Sequence, residues 1–195
     1  MDINLQQYIK DATRTESTIA SIKVNVPNLL SVLSCYIAAG NLLDDVKKNV
    51  FYNKTIDPSK WNSNLTEIIF HSHNILNGID LESTDKEELT INPRLFHSII
   101  GISTESVELA EAMVTAIMSE TDIDFTNFKE EMGDLNWYQA IGLDETNANW
   151  AALLNTNINK LKARYPDKFT SDNAINRDLE VERQILETSD TQSSL

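Results

Sequence analysis

Apolar residues recur three and four positions apart along most of the chain, which is the period of an α-helix with one buried face. Strict alternation of apolar and polar residues, which is typical of strands, is rare. Only 5 glycines and 4 prolines interrupt the pattern over 195 residues. We therefore predict an all-α fold.

Residues that start helices give the expected bounds. Pro27 opens a long helix to about Tyr52, because proline at a first helical position sacrifices no hydrogen bond. Asp57-Pro58 starts the next helix, which stops near Asn77-Gly78, and Asn92-Pro93 and Asp124 start two more. These helices run through Ile117 and to about Ile141, and further helices are expected at about 3–12, 145–164 and 171–187.

The expected organisation is one compact domain in all. Its core is a four-helix bundle built from tandem helical hairpins, with helices added at the C-terminal end. The segments are an N-terminal helix and connection (1–24), a first hairpin (25–79), an acidic linker (80–92), a second hairpin (93–142), C-terminal helices (143–187) and a flexible tail (188–195).

The two hairpins align as an internal repeat. Residues 28–71 can be laid on residues 95–138 without a gap, an offset of 67, and the capping residues Asp57 and Asp124 then coincide. Because any two amphipathic hairpins align at some offset, chance similarity stays an alternative. We favour duplication.

Four acids distinguish the second copy from the first. Glu105 and Glu108, and then Glu131 and Asp134, form two pairs with a spacing of three, so each pair lies on one helix face. Four carboxylates facing one another would repel strongly unless a cation lay among them. Their hard oxygen donors suit Mg²⁺ or Mn²⁺. The alternative is that the acids cover a solvated face.

Charge and composition restrict the classes of molecule that the protein is expected to bind. The chain has 30 acidic against 16 basic residues and a net charge of −14, so its surface repels nucleic acids and anionic membranes. From the sequence we expect no apolar stretch that is long enough to span a bilayer. We therefore expect a cytoplasmic protein with no nucleic-acid or membrane partner.

The acids lie in motifs that resemble a known family. The segments from Gly101 to Leu109 and from Glu130 to Tyr138 are similar to the ExxE and ExxD motifs of the MazG-like, all-α nucleoside triphosphate pyrophosphohydrolases. The run from Asn157 to Phe169, followed by Asn176-Arg177-Asp178, resembles the tail of phage and bacterial members. The resemblance extends over roughly residues 25–187 once the first copy is included.

The resemblance implies metal-dependent hydrolysis of a nucleoside triphosphate, with dNTPs as the expected substrates. The cut falls between the α and β phosphates and gives a monophosphate and pyrophosphate. Such an enzyme controls nucleotide pools in a bacterial cell or a phage-infected host. The metal ligands would be Glu105, Glu108, Glu131 and Asp134, and either Glu105 or Glu108 would accept the proton of the attacking water.

The substrate-binding residues implied by the resemblance are basic and polar. Their role is to neutralise the phosphates, and they are Lys47, Lys54, Asn157, Lys160, Arg164, Tyr165 and Arg177. The first copy lacks the acids but keeps the basic aromatic segment from Leu42 to Lys54. We therefore expect one composite site per chain, with acids from the second copy and Lys47 or Lys54 from the first. A first copy kept only for packing is the alternative.

Two other functions stay open. One is a non-catalytic helical interaction protein in which the acids hold a structural ion. The other is a family member that acts on dUTP, dUDP or a guanosine polyphosphate signal. A homodimer is possible, because duplicated hairpins can also pair between chains.

Overall fold

The structure is a computed structural model that describes residues 4–78 and 85–192, with side chains described up to residue 187. Residues 1–3 of the predicted N-terminal segment, residue 79 of the predicted first hairpin and parts of the predicted linker (80–84) and tail (193–195) lie outside the described residues. The described helices are α1 (Leu5–Thr13), α2 (Val26–Tyr52), α3 (Pro58–Gly78), α4 (Pro93–Ser119), α5 (Phe125–Glu145), α6 (Trp150–Arg164), α7 (Ser171–Ile175) and α8 (Leu179–Gln192). The prediction of an all-α fold is confirmed.

Two short strands were not predicted. They are β1 (Ile22–Val24) and β2 (Glu87–Leu89), and they pair with each other in a two-stranded sheet. Three residues are too few for alternation to be visible in a sequence, and the pairing depends on contacts between distant parts of the chain.

The bounds of the two hairpins repeat with the predicted offset. α2 and α4 have 27 residues each, α3 and α5 have 21 each, and every bound differs by 67 between the copies. The helices α2 and α4 also end alike, because Asn53 (φ 54°) and Glu120 (φ 52°) both adopt the left-handed conformation that terminates a helix. The helices of the two hairpins therefore begin and end at equivalent positions.

The later helices differ from their predicted bounds. α5 continues to Glu145, and α6 begins at Trp150, after a turn in which Asn147 has a φ of 52°. The helix predicted at 171–187 is two helices, because Asn176 leaves the helical conformation and the Asp178 carboxylate then accepts a hydrogen bond from the Val181 N–H. α8 also extends beyond the predicted end of the helical part.

The chain divides into two units, which are described separately. Unit 1 comprises the described residues of Met1–Ile22, Thr90–Asn157 and Thr191–Leu195, and unit 2 those of Lys23–Leu89 and Ile158–Asp190. The second hairpin, α4–α5, therefore belongs with α1 in unit 1. The first hairpin, α2–α3, belongs with α7 in unit 2. The predicted four-helix bundle joining the two hairpins stays a prediction.

Unit 1 has a small apolar core between α1, α5 and the start of α6. Its members are Ile9, Ala12, Ala140 and Trp150, with Trp137 packed against them. The Trp137 indole N–H donates to the Ala12 carbonyl at 2.9 Å, so the half-buried ring also satisfies its one donor. This core fixes α5, which carries two of the predicted metal ligands.

Ion pairs join the start of α4 to the end of α5 in the same hairpin. The Arg94 guanidinium, at the start of α4, contacts the carboxylates of Glu16, Asp144 and Glu145 at 2.7–2.9 Å. Hydrogen bonds that Arg94 donates to these acids, to Glu16 above all, raise the pKa of Arg94. The start of α4 is thereby joined to the end of α5.

One helix bears on the expectation about membranes. By length and composition alone, α2 could cross a membrane, so the expectation that no stretch qualifies was wrong for this helix. A core helix of a water-soluble protein meets the same criterion, and a single such helix near the N-terminus is weak evidence for a span.

Small residues bring α4 and α5 unusually close. A Cβ atom on Gly101 would lie 2.0 Å from Cδ1 of Tyr138, and one on Gly142 would lie 2.6 Å from the Ser98 hydroxyl. Ser98 in turn donates to the Tyr138 carbonyl at 2.8 Å. The two helices could not keep this spacing with larger side chains.

We predict that Gly101→Ala lowers the free energy of unfolding by about 1–3 kcal/mol, because the Tyr138 ring would have to move out of a packed position. Gly133→Ala is the matched control in the same hairpin, since nothing lies within 4 Å of its added Cβ. The control should raise stability by about 0.5–1 kcal/mol through helix propensity. Urea unfolding of the metal-free protein measures both, and equal effects would contradict this account of the packing.

Candidate functional site

Three carboxylates meet across the α4–α5 hairpin. One oxygen each from Glu105 on α4 and from Glu131 and Asp134 on α5 lie within 4.8 Å of one another. Glu105 and Glu131 are buried, whereas Asp134 is exposed. Within each helix the two acids of a pair are one helical turn apart, so they lie on the same helix face. Because oxygens from both helices converge, the acids of α4 and α5 lie opposite each other in the hairpin.

Burial and the nearby charges raise the pKa of two of these carboxyl groups. Burial, and then the charges of Glu108 and Asp134, raise the pKa of Glu105. Burial also raises the pKa of Glu131, followed by the charges of Glu108 and Glu105. The Glu105 and Glu131 side chains lie within hydrogen-bonding reach of each other, an arrangement that two ionised carboxylates disfavour.

The fourth predicted ligand, Glu108, lies at the edge of this group. It is not one of the three acids whose oxygens converge, yet its charge raises the pKa of both Glu105 and Glu131. It is exposed, so water reaches its carboxylate. The structure therefore brings three of the predicted ligands together and leaves the fourth beside them.

Two phenols lie near the acids and were not predicted as site residues. Burial, and then the charge of Asp134, raise the pKa of Tyr8 on α1. Tyr138 on α5 also has a raised pKa, from burial first and then from the charges of Glu105, Asp134 and Glu108. The acids thus lie beside aromatic side chains, in a setting that strengthens electrostatic interactions.

The donor set fits a hard divalent cation. All three converging atoms are carboxylate oxygens, which are the ligands of Mg²⁺ and Mn²⁺, and no thiolate or imidazole belongs to the group. Burial and the charges of neighbouring acids disfavour the ionised forms of Glu105 and Glu131, and a bound cation would favour those ionised forms. Glu105, Glu131 and Asp134 would hold the ion.

The first hairpin has replaced these acids. At the offset of 67, Ala38, Asn41, Asn64 and Glu67 occupy the positions of the four acids. Ala38 is buried like Glu105, and the Asn41 amide donates to the Asn64 amide oxygen at 3.2 Å. Side chains at these positions therefore face each other in both copies, but the first copy has neutral groups at three of the four positions and keeps one acid, Glu67.

The basic residues gather elsewhere, in a pocket of about 290 Å³ in unit 2. We call it the basic pocket. It is lined by Asp44, Lys47, Lys48, Tyr52, Lys54, Arg164, Tyr165, Ala174, Ile175 and Arg177. Five of the seven predicted substrate-binding residues are among these, whereas Asn157 and Lys160, on α6, are not.

The end of α2 explains why Lys54 lies near Lys47 and Lys48. The left-handed conformation of Asn53 turns the chain back, so that the Lys54 N–H donates to the Lys48 carbonyl at 3.2 Å. The Asn49 amide then donates to the Lys54 carbonyl at 3.0 Å. This helix cap places three lysines at one helix end.

Sequence reasoning missed the acid that orders the arginines. Both Arg164 and Arg177 pair with the buried Glu182 carboxylate, Arg164 through two hydrogen bonds of 2.8 Å. Hydrogen bonds, first from Arg177 and then from Arg164, lower the pKa of Glu182 to about 2. The available signal was the helical period, which places this acid on one face with Leu179 and Ile185.

The composite site stays a prediction. The acids belong to unit 1, and Lys47, Lys54 and the arginines belong to unit 2. Unit 1 brings together three of the four predicted metal ligands, and unit 2 brings together five of the seven predicted substrate-binding residues.

Comparisons of this chain with models of protein families, with curated proteins and with solved structures found no match. The family resemblance therefore depends on the motifs alone.

We predict that Glu131→Gln stabilises the metal-free protein at pH 8 but not at pH 4. A carboxyl with a raised pKa binds more protons in the folded state, so its folded state is disfavoured as the pH rises from the unfolded pKa through the raised value. Glutamine avoids this loss and can still donate a hydrogen bond to Glu105. Thermal unfolding in EDTA across this pH range measures the effect.

Glu111→Gln is the control, because Glu111 is an exposed acid on the same hairpin. It should leave the pH dependence of the wild type unchanged. A Glu131→Gln curve parallel to the wild-type curve from pH 4 to 8 would show that the acids do not interact as described.

Proposed function

We propose that the chain is a metal-dependent nucleoside triphosphate pyrophosphohydrolase of the cytoplasmic nucleotide pool. It would hydrolyse its substrate between the α and β phosphates and release a nucleoside monophosphate and pyrophosphate. The observation that carries this proposal is the convergence of the Glu105, Glu131 and Asp134 carboxylates within 4.8 Å. The motifs that contain them supply the reaction class.

The electrostatics of the acids support a cation-dependent reaction. A triphosphate carries several negative charges, and three crowded carboxylates would repel it. A divalent cation, when bound, would screen these charges and lower the pKa of a coordinated water. Mg²⁺ is the expected ion, with Mn²⁺ as a substitute that takes the same oxygen ligands.

The exposure of each acid and the convergence of their oxygens indicate which acids would bind the ion and which would act as the base. Glu105, Glu131 and Asp134 would hold the ion, because their oxygens converge. Glu108 would accept the proton of the attacking water, since it is exposed and lies outside the converging group. This assignment prefers Glu108 over Glu105 as the base.

The Tyr8 and Tyr138 hydroxyls would remain protonated, because the pKa of each is raised. They could therefore donate hydrogen bonds near the acids at neutral pH. The pocket shape that selects a base or sugar is not encoded in a short motif, so the nucleoside preference is left to a substrate panel.

The test is pyrophosphate release from a panel of dNTPs and NTPs with Mg²⁺. We predict turnover by the wild type and a loss of at least about 100-fold in Glu131→Ala, because even second-shell changes at metal sites cost 10–100-fold. Glu111→Ala should match the wild type. Glu108→Gln should lower kcat more than it weakens Mn²⁺ binding, which separates a base from a ligand.

Other results would redirect the proposal. Turnover of dUDP or guanosine tetraphosphate alone would keep the metal chemistry and change the substrate. A wild type that binds Mg²⁺ but turns over no member of the panel would contradict the enzyme and favour a structural ion in an interaction protein.

A further inference from the structure

The helix α2 has a second apolar face beside the one that packs against α3. On the packed face, Ser31 and Ala38 are buried, and the Cys35 Sγ lies 3.7 Å from the Ile68 carbonyl of α3. Residues one position later lie about 100° around the helix, and they form a row with alternating spacings of four and three. We call this row the outer seam, and it consists of Val32, Tyr36, Ala39, Leu43, Val46 and Val50. Five of the six are exposed, whereas Ala39 is half-buried.

The outer seam lies in a helix with an uncharged first part. No charged residue occurs from Val26 to Leu43, although charged residues make up 24% of the chain. The exposed face of a surface helix is usually polar or charged. Single exposed apolar residues are common, but a continuous apolar row of this kind is typical of an interaction surface. We therefore expect an apolar partner for the seam.

The spacing of the seam favours a helix as that partner. Alternating steps of four and three form a heptad repeat, in which one row of side chains fits between the side chains of a second helix. From Val32 to Val50 the row rises about 27 Å. Insertion into a bilayer requires apolar character over a helix but not this spacing.

The order of side chains in the seam fits a second copy of α2 that runs in the opposite direction. About a two-fold axis at position 41, each residue of the seam faces another residue of the seam in the second copy. The facing pairs are Val32 with Val50, Tyr36 with Val46 and Ala39 with Leu43. The smallest residue thus faces a leucine and the largest faces a valine, so no layer joins two bulky side chains. A patch that is complementary to itself is what a two-fold dimer requires.

Gly40, next to the centre of the seam, agrees with this arrangement. Glycine weakens the interior of a helix, because it has more conformational freedom to lose than alanine. Among the described residues, nothing lies within 4 Å of a Cβ atom added to Gly40, so packing inside the chain does not require glycine there. A second helix at this level would give the glycine a role, since its missing side chain lets two backbones approach closely.

We propose that the outer seam of α2 is the contact surface of a homodimer, in which the α2 helices of two copies pack antiparallel. Two helices in contact along about 27 Å bury on the order of 1,000 Å² in total, which is near the lower bound for a specific interface. We therefore expect the dimer to form at micromolar concentrations. The contact uses α2 alone, so it does not depend on the proposed hydrolysis.

The first experiment is analytical ultracentrifugation of the full chain across the micromolar range. The wild type should dimerise, and Leu43→Glu should raise the dissociation constant at least about 100-fold, because it would bury an unpaired charge in a central layer. Ile37→Glu is the matched control. Ile37 and Leu43 are both 60% exposed, but Ile37 lies on the other side of the same helix, so this variant should dimerise like the wild type. Circular dichroism of each variant confirms that it is folded.

The second experiment tests the antiparallel register without a charge in the seam. Ala39→Cys and Leu43→Cys are made in separate chains that also carry Cys35→Ser, and the chains are oxidised singly and after mixing. We expect a covalent dimer in the mixture, because Ala39 of one copy faces Leu43 of the other. Each variant alone should give at least about tenfold less, since its two cysteines would be offset by about 6 Å along the helices in addition to the about 8–10 Å between the helix axes.

Several results would overturn the proposal. They are a wild type that stays monomeric, a Leu43→Glu variant that dimerises like the wild type, equal weakening in Ile37→Glu, or equal cross-linking in the single variants and the mixture. Binding of the wild type to phosphatidylcholine vesicles that Leu43→Glu abolishes would instead assign the seam to a membrane surface.

Discussion

The mutual repulsion of carboxylates held between α4 and α5 is the constraint on which unit 1 depends. Gly101 lets the Tyr138 ring approach the α4 backbone, and Ser98 bonds to the Tyr138 carbonyl one turn further along. Because the helices are this close, the Glu105 and Glu131 carboxyl groups are held near each other. The packing therefore raises the pKa of both acids, and the proposed metal site depends on this arrangement.

The two hairpins have equivalent helix bounds but carry different polar side chains at equivalent positions. Both have the same helix lengths and the same left-handed helix ends. In α4–α5 the facing positions carry acids, whereas in α2–α3 an asparagine pair faces across the hairpin. The basic groups instead lie at the end of α2, where the backbone turn brings Lys54 back toward Lys48. Equivalent helices of the two hairpins thus carry different polar groups.

Much of this arrangement could be predicted because its causes are local. Asn92 and Asp124 accept hydrogen bonds from the first N–H groups of α4 and α5, so the hairpin bounds follow from neighbouring residues. The spacing of three in each acid pair likewise places Glu105 near Glu131 once the helices are antiparallel neighbours. The division between three converging acids and Glu108 could not be predicted, because it depends on side-chain orientation across the hairpin.

The parts that were missed depend on distant contacts. The pairing of β1 with β2, and the capture of Arg164 and Arg177 by Glu182, join segments whose proximity no periodicity encodes. The break between α7 and α8 arises at Asn176, where the backbone leaves the helix although the apolar spacing continues. Tertiary context decided the strand pairing and the contact of Arg164 with Glu182, whereas the helix break is a local feature.

The most direct test of the central claim is a Mn²⁺ titration followed by electron paramagnetic resonance, which reports free Mn²⁺. The account predicts that the wild type and Glu111→Gln take up Mn²⁺ with the same affinity, and that Glu131→Gln binds it at least about tenfold more weakly. Equal Mn²⁺ affinity in the wild type and Glu131→Gln would mean that the crowded acids of α4 and α5 do not form a metal site.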